Sequence, residues 1–128
     1  MEKYKNYING EFLDSKSGKT FKTINPSTEN EFAEVAEAEA FEVNLAVQSA
    51  SNAFHGKWSK LLPKDRAKYL RAIGDQLLAN AEKLGKVETK DTGKLFKETK
   101  FQANYIAEYY YYYAGLVDKI EGSTLPTS

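Results

Sequence analysis

EFAEVAEAEAFEVNLAVQSASNAF, residues 31–54, is where the chain changes its hydrophobic period. In its first part, FAEVAEA, Phe32 and Val35 read as a short strand. From about residue 39 onward Val43, Ala46, Val47, Ala50, Ala53 and Phe54 recur at i, i+3, i+4 and i+7, the spacing that lines one face of an α-helix. One change from extended to helical, rather than repeated alternation, predicts an α+β chain, with short strands over about 5–38 and three to four helices over about 39–122.

Toward the N-terminus, YINGEF places Tyr7, Ile8, Phe12 and Leu13 around Asn9-Gly10. That pair is the strongest short-range hairpin signal, although it also fits an irregular strand. Asp14–Gly18 is a second turn cluster. TFKTI then alternates Phe21 and Thr23 against Lys22 and Ile24. It stops at Asn25-Pro26, because proline disfavours a helical residue before it.

Toward the C-terminus, Gly56 reads as the C′ residue of the first helix. His55, the only histidine, reads as a favourable charge at that helix end rather than a catalytic base. Pro63 suits the first helical position of the next helix, with Asp65 in its first turn. Ala67, Leu70, Ile73, Leu77, Ala81 and Leu84 form its apolar stripe, weakened at Gly74 and Gly85 by about 1 kcal/mol each relative to alanine. Residues 86–91 continue or re-form the helix up to Thr92-Gly93. A last helix begins near Phe96, carries Phe101, Tyr105, Tyr109, Tyr112, Tyr113, Leu116 and Ile120, and ends at Gly122. No repeat, low-complexity linker or domain boundary interrupts the chain.

Five consecutive tyrosines, Tyr109–Tyr113, fall inside that last helix. Successive helical residues turn by about 100°, so the run sweeps roughly 400° and no single neighbouring face can cover it. A packed tyrosine buries on the order of 150–250 Å², and two or three left bare approach the upper limit of apolar patch that a monomer shows. The run therefore reads as a surface to be covered by more polypeptide, with a core helix whose surface simply tolerates tyrosine as the plain alternative. A stacking platform for bases is disfavoured, because no basic groove accompanies the rings.

Composition excludes much else. Eighteen basic and 18 acidic residues balance, which leaves no electrostatic footprint for nucleic acid or an anionic membrane. No uncharged window is long enough to span a bilayer, and MEKYKNYING lacks the apolar run of a signal peptide, so a cytoplasmic protein is expected. One histidine and no cysteine exclude a thiol nucleophile and an ordinary nitrogen–sulfur zinc site. The eight glycines form neither GxGxxG nor a GKS/T phosphate loop. The lysines around residues 83–100 alternate with acids and read as a solvated face.

YINGEF, SGKTFKTINPSTE, FAEVAEA, PKDRAKYLRAIGDQLLANAEKL, ETKDTGK and YYAGLVDKIEGSTLP, in this order, resemble the opening of an aldehyde dehydrogenase subunit. The resemblance covers nearly all 128 residues. Leu95 stands where the family usually has proline, Glu29-Asn30 replaces a Thr-Gly-type turn, and three of the tyrosines extend a Tyr-Tyr pair.

The resemblance implies that residues 1–128 are the N-terminal portion of an α/β NAD(P)-binding domain. In the whole enzyme a cysteine thiolate attacks the aldehyde, hydride passes to NAD or NADP, and a glutamate-activated water releases the carboxylic acid. None of those groups is expected in this stretch, so no catalytic or cofactor-binding residue is assigned and the chain alone is expected to be inactive and to bind no dinucleotide. The resemblance further implies a monovalent cation held by the main-chain oxygens of Thr23 and Ile24 and the carboxylate of Asp91. Asp91 as a cap of the Thr92-Gly93 turn is the plain alternative. Phe101 and Tyr105 match positions lining the aldehyde entrance tunnel, with ordinary packing as their alternative. The implied partners are the remainder of the polypeptide and further copies in a dimer or tetramer. A stand-alone, shortened relative that self-associates through the tyrosine helix is the competing reading.

Overall fold

A computed structural model describes residues 1–126 of the chain. Strands β1 (Glu2–Tyr4), β2 (Asn6–Ile8), β3 (Glu11–Leu13), β4 (Thr20–Asn25) and β5 (Asn30–Ala36) precede helices α1 (Ala40–His55), α2 (Pro63–Ala79), α3 (Ala81–Thr92) and α4 (Phe96–Leu116). The α+β architecture is as predicted. The chain divides into two compact units that interleave in sequence: Met1–Lys60 with Val87–Lys94, and Leu61–Lys86 with Leu95 onward. Because each unit takes two separate segments, no linker marks a boundary.

In the first unit β5 is the middle strand of a three-stranded sheet, parallel to β1 and antiparallel to β4. It buries Ala33 and Ala36. Strand β1 was not predicted: Glu-Lys-Tyr is polar, and only parallel pairing with β5 makes it extended. Asn9 and Gly10 adopt φ of 53° and 84°, as a type I′ turn requires, and close the β2–β3 hairpin with Ile8 opposite Glu11. The Asn25–Asn30 turn holds Glu29 at φ 58°, a left-handed conformation that costs a non-glycine residue roughly 1–2 kcal/mol. Its N–H donates to the Asn25 carbonyl at 2.8 Å.

Helix α1 buries a face turned away from, and only partly overlapping, the one its apolar spacing suggested, with Ala46 half-buried on both. Val43, Val47 and Phe54 are exposed, whereas Glu42 is only 3% exposed. The Glu42 carboxylate accepts hydrogen bonds from the N–H of Lys16 at 2.8 Å and of Glu39 at 2.9 Å. Gly56 ends α1 at φ −96°, not in the left-handed region expected of a C′ glycine. Its smallness is still needed, since a Cβ there would lie 2.6 Å from the Asn52 carbonyl oxygen.

In the second unit Pro63 opens α2 as predicted, but the helix does not run on to Leu84. It stops at Asn80, whose side-chain amide donates to the Gln76 carbonyl at 2.9 Å, and α3 restarts at Ala81. The predicted stripe is only partly buried. Ala67 and Ala81 are inside, while Ile73 and Leu84 are exposed along an apolar groove of about 470 Å³. Helix α4 buries Thr99, Ala103, Ala107 and Ala114, a seam of small residues at helical spacing. It ends at Leu116, not Gly122, and Ile120 beyond it is 90% exposed.

The two glycines read from propensity as weaknesses are points of close approach. A Cβ on Gly85 would lie 2.8 Å from the backbone nitrogen of Lys100, and the Thr99 hydroxyl donates to the Gly85 carbonyl at 2.9 Å. A Cβ on Gly74 would lie 2.7 Å from the ring of Tyr111, whose hydroxyl donates to Asp75 at 2.7 Å.

Helix propensity alone predicts that Gly85→Ala and Gly74→Ala each gain about 1 kcal/mol. The structure predicts the reverse for Gly85→Ala, a loss on the order of 1–3 kcal/mol, because backbone must move. Gly74→Ala should cost less, since a ring can swing aside; urea unfolding of the two variants gives the ranking. The amides of Lys16 first, and of Glu39 second, hold the Glu42 carboxyl below its ordinary value near 4.5. Its folded value is depressed, so its contribution is complete above about pH 4.5 and disappears as the pH falls through the folded value. The stability difference between the native chain and Glu42→Gln, followed by thermal unfolding from neutral to acid pH, should be greatest at neutral pH and shrink below about pH 4.5.

Candidate functional site

Two constellations carry the predicted site residues, one in each unit. In the first, β4 ends at the Ile24-Asn25-Pro26 motif and α3 ends at Asp91-Thr92-Gly93. Gly93 takes φ 76° and its N–H returns to the Thr89 carbonyl at 2.9 Å, closing the helix in a left-handed cap. A Cβ on Gly93 would meet Pro26 at 3.0 Å. The two motifs, far apart in sequence, therefore meet.

The same meeting joins Thr23 to Asp91. The Thr23 hydroxyl donates to the Asp91 carboxylate at 2.7 Å. The turn is closed by the Gly93 amide, and the Asp91 carboxylate reaches across to β4. Register between β4 and β5 shifts between Thr23 and Ile24, leaving Phe32 without a partner on β4. Such a bulge interrupts the ladder beside the two main-chain oxygens the sequence singled out. Hydroxyl, carboxylate and nearby carbonyl oxygens are the donor set of a hard cation. Among the described residues no group of three or more His, Cys, Asp or Glu side chains could hold a metal, so any ion here would rely on main-chain oxygen. Lys90 keeps its ammonium over the Phe32 ring, 4.7 Å from the centroid.

The second constellation lies along α4. Phe101 and Tyr105 stack with centroids 6.1 Å apart and planes 9° from parallel. Tyr105 meets Tyr109 edge to face at 5.2 Å, and their hydroxyls lie 3.1 Å apart. Tyr112 and Tyr113 form a second edge-to-face pair at 5.3 Å. Sequence reasoning named only Phe101 and Tyr105 as functional. The structure extends them into a ladder, and Tyr105, Glu108, Tyr109, Tyr112 and Tyr113 line a groove of about 290 Å³. The i, i+4 spacing from Phe101 to Tyr113 was the available signal.

The ladder is bare. Tyr112 and Tyr113 are 63% and 57% exposed, and Tyr109 is also exposed, whereas Tyr110 and Tyr111 are partly covered. The predicted uncovered ring surface is present. His55 lies at the end of α1 with its ring edge-on to Phe54 at 5.0 Å, in neither constellation. No helix among the described residues is long and apolar enough to cross a membrane.

The aldehyde dehydrogenase family model matches residues 12–128. The chain is 45% identical over 127 residues to a (Z)-2-((N-methylformamido)methylene)-5-hydroxybutyrolactone dehydrogenase of Acinetobacter baylyi, covering 98% of this chain and 26% of that protein. It is 44% identical to aldehyde dehydrogenase 1 of Tanacetum cinerariifolium, over 95% of this chain and 25% of that protein. The NAD+ complex of an aldehyde dehydrogenase from Bacillus cereus superposes with a TM-score of 0.93 at 37% identity, over 99% of this chain and 26% of that one. The chain thus spans about a quarter of the length of the relatives it matches, and across that span it belongs to the aldehyde dehydrogenase family.

Proposed function

We propose that residues 1–128 serve as the N-terminal portion of the cofactor-binding domain of an NAD(P)-dependent aldehyde dehydrogenase. The quarter-length match to complete family members carries this reading. Bound NAD or NADP would accept hydride from the substrate. This chain has no glycine-rich phosphate loop and no cysteine, so neither dinucleotide binding nor nucleophilic attack is assigned to it. Its own contribution is structural and selective. Phe101 and Tyr105 line the aldehyde entrance, and the rest of the polypeptide lies over the remaining tyrosines. The whole enzyme is a cytoplasmic homo-oligomer, dimer or tetramer.

Thr23, Ile24 and Asp91 hold a monovalent cation that ties β4 to the end of α3. The Thr23–Asp91 contact at 2.7 Å beside the bulge supports this. At constant ionic strength, exchanging N-methylglucamine for potassium or sodium should raise the melting temperature by about 2–4 °C, as expected when an ion binds only the folded state. Asp91→Asn should abolish the rise. A rise of equal size in that variant would remove the site.

The exposed Tyr109, Tyr112 and Tyr113 favour one second reading, a self-associating module. Co-expression with the remaining portion of the Bacillus cereus relative separates the two. The main proposal expects aldehyde-dependent NADH formation only when both pieces are present, at least about tenfold above either alone. Turnover by these 128 residues alone would overturn it. Failure of the pieces to associate, with discrete homo-oligomers of the chain in light scattering, would favour the module.

A further inference from the structure

Asn9 alone among the asparagines is followed by glycine, and the hairpin sets the pair at its tip, where both residues are exposed. A Cβ on Gly10 would meet nothing within 4 Å, so the space beside this residue is open. Every other asparagine precedes a side chain that crowds the next nitrogen, and Asn25 precedes proline, which has no N–H. The β2–β3 hairpin is a sheet of its own with three residues to a strand, and a two-stranded ribbon is marginal by itself. At its tip the Ser49 hydroxyl of α1 donates to Asn9 Oδ1 at 3.3 Å. That bond is long and exposed, so opening the tip costs little.

We propose that Asn9 is a site of spontaneous deamidation, reached when the tip opens, and that the isoaspartyl product keeps the hairpin open. Asparagine is thermolabile for this reason. In the closed turn Ser49 holds the Asn9 side chain, and the backbone of both residues is held left-handed. Once released, the Gly10 nitrogen gives its proton to hydroxide and bonds to Asn9 Cγ. The Cγ–Nδ2 bond breaks, and ammonia leaves with a proton from water, which regenerates the hydroxide. Water then opens the cyclic imide at either carbonyl, giving aspartate or isoaspartate with no change of oxidation state. Opening at the Asn9 main-chain carbonyl routes the chain through the side chain and adds a methylene to its length. A two-residue turn cannot absorb that addition. Tyr7 and Phe12, paired with ring centroids 4.9 Å apart, then lose register, and Ile8 loses its burial. The reaction needs nothing outside these residues and is independent of the enzymatic role.

The test incubates the full 128-residue chain in mildly alkaline buffer at physiological temperature. Peptide mapping by mass spectrometry then follows each asparagine, with isoaspartyl and aspartyl forms separated by elution. Asn9 should convert ahead of every other asparagine, and the isoaspartyl chain should lose the mutual ring shifts of Tyr7 and Phe12 in NMR spectra. Ser49→Ala keeps a good helix former in α1 and should speed conversion about two- to threefold, the rate equivalent of one weak hydrogen bond. Gly10→Ala strains the left-handed turn and so favours opening, yet it should slow conversion about tenfold, because the methyl crowds the attacking nitrogen. An effect on opening alone would speed both variants. Conversion of Asn9 no faster than of Asn52 or Asn80, no acceleration in Ser49→Ala, or no slowing in Gly10→Ala overturns the site. An isoaspartyl chain that keeps the Tyr7–Phe12 ring shifts overturns the opened hairpin.

Discussion

Packing of α4 against α2 organises the second unit, and α3 meets α4 in one close backbone contact at Gly85. With no Cβ at Gly85, the Lys100 nitrogen comes within 2.8 Å of where one would be, and the Thr99 hydroxyl reaches the Gly85 carbonyl. Helices this close can share only small side chains, and α4 accordingly buries Thr99, Ala103, Ala107 and Ala114. The large residues of α4 have no room on that seam and are turned outward. The tyrosine surface and the glycine contact are two sides of one packing choice.

That choice reverses the usual relation between size and burial. The interior is built from alanine, glycine and threonine, while Phe101, Tyr109, Tyr112 and Tyr113 face out. Phenylalanine and tyrosine bury the most area when packed, so a surface made of them gains most by being covered. The second groove, along Tyr69, Ile73 and Leu84, repeats the pattern on α2 and α3. Across the quarter of its relatives' length that the chain spans, both helical grooves are therefore lined by large apolar side chains that no other part of the described residues covers.

The first unit rests on a different joint. Pro26 against Gly93 and Thr23 on Asp91 bring the ends of β4 and α3 together, and each motif residue has its own task. Proline stops the strand, glycine turns the helix back through a left-handed conformation, and aspartate supplies the oxygen that crosses between them. Glu29, in the turn where the family resemblance leads one to expect a Thr-Gly pair, keeps φ 58° despite its side chain.

The α+β class, the Asn9-Gly10 hairpin, the Pro63 helix start and the excess of tyrosine around α4 were legible in the sequence, because each depends on local dihedral preference or helical geometry. The buried face of α1 was not legible. Apolar spacing pointed to Val43 and Phe54, whereas the amide of Lys16, distant in the chain, joins the local amide of Glu39 in drawing Glu42 inward. The break at Asn80 was equally hidden, since a side-chain amide competing for the Gln76 carbonyl carries no strong stop signal. For Gly74 and Gly85 the sequence determined only that helix propensity is low; packing decided that no larger residue fits. Local preferences act through bonds between near neighbours and can be read in one dimension, but what a face buries depends on which other face reaches it, and that is settled only in three.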